Sequence, residues 1–226
     1  MINVDILAFG SHPDDVELGC SGTLAKEIHQ GKSVGILDLT RGELGTRGSA
    51  EIRDKESAAA AKILNIKIRE NLSFSDGFFI NDKHHQIEII KIIRKYRPEV
   101  VFCNAVDDRH IDHPKASQLV SASCFLSGLT KINTKLDGSN TFQEEWRPKF
   151  IYHYLQWKNI SPDICVDISD FMSIKLKAVM AYESQFFKEG VNMKNTPIST
   201  KNFIDSVEYR ARDLGRLSGV NYAEGF

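Results

Sequence analysis

Apolar and polar positions alternate along this chain in blocks. Val4–Gly10 is a short apolar run closed by Gly-Ser, as a buried strand would be. From Val16 to Gln30, Leu18, Leu24, Ala25 and Ile28 recur at near-helical spacing, and Gly31 supplies a stop. Ser33–Leu39 reads as a second strand, followed by a polar, Gly-rich loop over 40–48. Ala50–Leu64, rich in Ala, Glu and Lys, predicts a helix. Ile66–Leu72 reads as a third strand. Lys83–Lys95 sets Ile87, Ile90 and Ile93 on one helical face that Arg97-Pro98 ends, and Glu99–Asn104 reads as a fourth strand.

This order implies right-handed βαβ units and a mostly parallel sheet covered on both faces: α/β, a Rossmann-like three-layer sandwich. Beyond it, residues 130–148 form a long polar connection. Lys149–Trp157 and Ile164–Ile168 read as strands, expected to run antiparallel at a sheet edge. Ser169–Gln185 and Thr200–Leu217 read as helices. Between them, Lys188–Ser199 is a polar loop of a length that is often functional or mobile. Neither a repeat nor a linker divides the chain, so residues 1–226 are expected to form a single domain.

Composition narrows the function. The 226 residues are 42% hydrophobic and 26% charged, with 29 basic against 30 acidic side chains. That near-neutral balance argues against nucleic acid or an anionic membrane as a partner. The N-terminus lacks a basic region followed by a long apolar core, and Cys20, Cys103, Cys124 and Cys165 form neither a disulfide framework nor a Cys-type zinc site. Reduced thiols in a cytoplasmic protein are expected.

Two clusters carry candidate chemistry. The first strand ends in Gly10-Ser11-His12-Pro13-Asp14-Asp15, and the fourth is followed by Asp107-Asp108-Arg109-His110-Ile111-Asp112-His113. Alone, the first is equally a Pro turn before an Asp helix cap. In a parallel sheet, however, both lie at the carboxyl edge, where ligands bind. His12, Asp15 and His113 would supply the three ligands of a catalytic zinc. Asp14 is left free to act as base. His110 is left to face a developing oxyanion, with Asp112 holding His110.

The pair His12-Pro13-Asp14-Asp15 and His110-Ile111-Asp112-His113 resembles the paired motifs of the LmbE-like (PIG-L) zinc deacetylases. Residues 40–48, Glu51-Ile52-Arg53, Ala181–Gln185, Arg210-Ala211-Arg212 and Gly219–Phe226 resemble the branch acting on N-acetylglucosaminyl-malate in bacillithiol biosynthesis. The resemblance spans essentially the whole chain. It implies zinc on His12, Asp15 and His113, with Asp14 as base and then acid. It implies His110 as oxyanion donor supported by Asp112, and Arg53 at the sugar. It also implies a homo-oligomer, with hexamers among the assemblies. The same ligands accept Fe²⁺ or Co²⁺.

A dicarboxylate substrate suits arginine forks. Arg53 and Arg109 are the leading candidates, with Arg47 for the carboxylates and Glu43 for a sugar hydroxyl. The other histidines read as structural: His84-His85 at the surface, His29 near a helix end and His153 in strand packing. Cys20 is not needed as a ligand. Two alternatives stay open. One is a relative of the same family acting on another N-acetylglucosaminide or a thiol-conjugate amide. The other is a Rossmann-like nucleotide-binding or methyltransferase protein; Gly19-Cys20-Ser21-Gly22 is only a weak fragment of a nucleotide loop.

Overall fold

A computed structural model describes residues 3–136, 138, 140–186 and 194–226. Five strands, β1 (Ile6–Gly10), β2 (Val34–Thr40), β3 (Ile68–Phe74), β4 (Val100–Asn104) and β5 (Phe150–Tyr154), form one sheet in the order β3-β2-β1-β4-β5. Every pairing in it is parallel. β1 and β2 are buried on both faces, so alternate residues feed two cores. Leu7 and Phe9 pack with Ile89, Ile93 and Leu119 on one side. Ile6 and Ala8 pack with Val16, Cys20 and Leu24 on the other.

The helices fill both outer layers. α1 (Asp15–His29) and α2 (Ala50–Leu64) lie on one face, with α5 (Met172–Met180) packed on both; α3 (Lys83–Tyr96) and α4 (Asp112–Ser127) share the other. Local chemistry sets their ends. Ser49 Oγ accepts from the Ile52 N–H at the start of α2, and Asp82 accepts from the His85 N–H at the start of α3. α6 (Lys201–Ser218) begins at a Thr200 cap and ends at Gly219, which takes the left-handed conformation.

Two expectations need correction. β5 runs parallel to β4, not antiparallel, because α4 is the crossover helix a parallel return requires. α4 carries small and polar residues with no single apolar stripe, so periodicity does not reveal it. The helix expected over 169–185 is a 3₁₀ turn (Ser169–Phe171) and α5, with turns beyond. The antiparallel expectation holds for Ile164–Ile168: β6 (Cys165–Asp167) pairs antiparallel with β7 (Ala223–Gly225), in a separate two-stranded sheet. Of the polar loop over 188–199, residues 188–193 lie outside the described residues.

β7 ties the end of the fold to its beginning. Glu224 accepts from the backbone N–H groups of Gly22 and Thr23 in α1, and its carboxylate meets buried Lys175 at 2.5 Å.

Candidate active site

β1 and β4 are neighbours, but their following helices pack on opposite faces of the sheet. This reversal opens a crevice at the carboxyl ends of the strands. The segments after β1, β3, β4 and β5 all meet there.

Two of the three motif histidines, His12 and His113, are held in a similar way. His12 Nε2 lies 3.1 Å from Asp76 Oδ1 and 3.3 Å from Asp112 Oδ2, while its Nδ1 faces Asp15 Oδ2 at 3.4 Å. His113 Nδ1 lies 2.7 Å from Asp108 Oδ2, while its Nε2 faces Asp15 Oδ1 at 3.2 Å. Each ring thus has one nitrogen on an outer carboxylate and the other turned toward Asp15. Asp15 is fixed in turn by Asn104 Nδ2 at 3.1 Å and Gln156 Nε2 at 2.8 Å. Burial works against charge on His113, yet Asp15 and Asp108 push its pKa up to about 9. Burial would raise Asp15, but the two histidines hold it well below the usual carboxylate range. His12 Nδ1, His113 Nε2 and Asp15 are a donor set of the kind zinc takes, with outer carboxylates fixing the tautomers.

Asp14 stands beside them with its backbone at φ 119°, a strained left-handed position for a residue other than glycine. The twist frees its side chain from capping α1. Burial pushes its carboxyl up to about 7, against the pull of Arg53, whose Nη1 lies 3.4 Å away.

His110 packs edge-on to His12, with ring centroids 4.6 Å apart, and stacks on His113 at 5.2 Å. The three histidines bring ligand atoms within 4.8 Å of one another. The Nδ1 of His110 accepts the Asp112 backbone N–H at 3.3 Å. Only an unprotonated nitrogen can accept, so in the neutral ring the proton sits on Nε2. Burial, then His12 and His113, lower the pKa of His110 from the ordinary imidazole value, against the pull of Asp15 and Asp112. The expected support of His110 by the Asp112 side chain is not what the structure shows. That carboxylate takes His12, the Gly77 N–H and Lys115 instead.

A cleft of about 520 Å³ opens over these groups. Arg53 and Arg109 line it; Glu43 and Arg47 do not. Glu43 accepts the Asp76 N–H at 2.8 Å, and Arg47 donates to the Gln185 carbonyl at 3.3 Å, so both brace the 40–48 loop. His153 is packed on Ser117 and the Asn104 carbonyl, away from the cleft. Asp76, Asn104, Asp108 and Gln156 are supporting residues to which the sequence reading gave no role. All four sit at or just beyond a strand's carboxyl end, and that placement was the available signal.

Fold and site together define a Rossmann-like α/β protein centred on a buried His–Asp cluster at its switch point. Residues 7–124 match the PIG-L family model, described as GlcNAc-PI de-N-acetylase. Over 97% of its length the chain is 30% identical to the diacetylchitobiose deacetylase of Thermococcus kodakarensis, covering 81% of that protein. A conserved protein of Thermus thermophilus superposes with a TM-score of 0.85 at 37% identity, over 99% of this chain and 93% of that one. The N,N'-diacetylchitobiose deacetylase of Pyrococcus horikoshii, solved with an inhibitor, gives 0.81 at 28% identity, over 98% and 82%. The chain belongs to the PIG-L (LmbE-like) deacetylase family.

Proposed function

We propose that this protein is a metal-dependent N-deacetylase that converts an N-acetylglucosaminide to acetate and the free glucosamine amine. The observation that carries the reading is the pair His12 and His113, each braced by an outer carboxylate and each turned toward Asp15, with Asp14 beside them. His12, Asp15 and His113 would hold zinc, or Fe²⁺ or Co²⁺. When bound, the metal would supply an acidified water and polarise the acetamide carbonyl.

The chain's own residues do the rest. Asp14, with its carboxyl near 7, takes a proton from the attacking water and returns it to the departing amine nitrogen. Protonation matters because an amine leaves poorly as its anion. The His110 Nε2–H is the donor for the oxygen on which charge builds; one such donor is worth about 3–4 kcal/mol of barrier. Asp76, Asp112 and Asp108 hold the histidine rings in place, and Arg53 both tunes Asp14 and faces the sugar.

The finer reading is N-acetylglucosaminyl-malate as substrate, supported by the sequence resemblance over the loop and C-terminal segments. Diacetylchitobiose is the second reading, because the relatives carrying that name align along nearly the whole chain. The reading includes a cytoplasmic homo-oligomer, a hexamer being the assembly to look for. Among the described residues no helix is long and apolar enough to cross a membrane. The deciding experiment is an amine-release assay on both compounds and on free N-acetylglucosamine, with chelator and with Zn²⁺ restored. Release that chelator stops and Zn²⁺ restores supports the reading. A protein that binds no divalent metal and releases no amine overturns it.

A further inference from the structure

Two arginines that line the cleft, Arg109 and Arg210, meet at one aromatic side chain. That side chain is Trp157, just past β5. The Arg109 guanidinium lies 4.5 Å over the Trp157 ring. The Trp157 carbonyl accepts a hydrogen bond from Arg210 Nη2, and its ring stacks on Phe203 at 5.4 Å. Arg210 and Phe203 both belong to α6, which presents them to the cleft with Val207 and Leu214. Two cations are thus fixed to one aromatic side chain, one through its face and one through its backbone.

Among the described residues, no carboxylate side chain lies within ion-pair distance of Arg109 or Arg210, and Arg210 Nη1 is buried with no hydrogen-bond partner. Burial works against the Arg210 charge and Asp108 only partly offsets it, the Asp108 oxygens being taken by His113 and by the backbone N–H groups of Arg109 and Lys158. Glu224, which also lines the cleft, is neutralised by Lys175. A guanidinium donates only, so a buried, unmatched N–H on it calls for an acceptor, and an anionic acceptor best offsets the charge.

We infer that Arg210, with Arg109 across Trp157, forms an anion subsite that selects substrates whose aglycone carries a carboxylate or phosphate. The inference rests on the deacetylase reading of the cleft and adds Arg210 as its specificity-determining residue. Arg210 does no chemistry on the acetamide. It fixes the far end of the substrate.

The test compares wild type, Arg210→Gln and Arg210→Lys on three substrates: N-acetylglucosaminyl-malate, N-acetylglucosamine 1-phosphate and the neutral methyl N-acetylglucosaminide. In Arg210→Gln the ratio of kcat/KM on the better anionic substrate to that on the neutral one falls at least tenfold, through KM, and Arg210→Lys recovers part of it. Whichever anion shows the larger drop identifies the group held. In wild type, KM for that anionic substrate rises with ionic strength while KM for the neutral one does not, a check that requires no variant to fold. Equal losses on anionic and neutral substrates, or no salt dependence, overturn the inference. Calorimetry with glucosyl-malate, which has no acetamide, separates the two readings. Binding that Arg210→Gln weakens tenfold, in a protein that releases no amine, sustains the subsite and removes the deacetylase. Binding that Arg210→Gln leaves unchanged removes the subsite.

Discussion

Arg53 Nη1 lies 3.4 Å from Asp14 Oδ2, and both side chains are buried. Arg53 therefore opposes the burial that raises Asp14. The basic form of Asp14 is the one that accepts a proton, so activity rises with pH through its pKa. A bound cation lowers that limb from about 7. Replacing Arg53 with Gln removes the downward pull and moves the acid limb of kcat/KM to higher pH by about 1–3 units. An unmoved limb would show that Arg53 does not govern Asp14.

Metal content and turnover should separate cleanly between neighbouring residues. Asp14→Asn is expected to keep its metal and lose about 10²–10⁴-fold in kcat. His113→Ala is expected to lose the metal itself. Elemental analysis of the purified variants beside their amine-release rates checks both; full activity in Asp14→Asn would dismiss it as the base.

The Asp112 carboxylate bonds to His12 and not to His110. Asp112→Asn should accordingly weaken metal binding about 10–100-fold, as should Asp108→Asn through His113. Competition against a chromogenic chelator measures this. A change in turnover with unaltered metal affinity would restore the role first read for Asp112.

Gly19 faces the ring of buried Tyr154, where an added Cβ would sit 2.1 Å from Cδ2. The tyrosine cannot retreat, since its hydroxyl donates to the Phe9 carbonyl at 2.9 Å. Gly19→Ala should destabilise the protein by about 1–3 kcal/mol in urea unfolding.

How much of this was legible beforehand follows from particular residues. β1 to β4 and α1 to α3 were readable because buried parallel strands are apolar runs and their covering helices are periodic. That the two His–Asp clusters converge was readable because both sit at strand ends. α4 was not, since Ala116, Ser117, Ser123 and Ser127 pack by smallness and leave no apolar stripe. Missing that crossover led directly to the wrong direction for β5. Asp76 lies 64 residues from His12, and Asp108 pairs with His113 only after the chain turns into α4. Those partnerships are products of tertiary distance. Arg109 was found by its adjacency to the second motif and Arg53 through the family resemblance, but the unmatched Nη1 of Arg210 appears only once its surroundings are known.

Glu224 holds α1 through Gly22 and Thr23, residues some two hundred positions earlier. Synthesis therefore releases His12, Asp14 and Asp15 long before the clasp that steadies their helix exists. A contact closing so long a loop forms late and slowly. The helix that carries Asp15 is thus held by a residue some two hundred positions later, so a substitution at Glu224 should be felt at His12, Asp14 and Asp15.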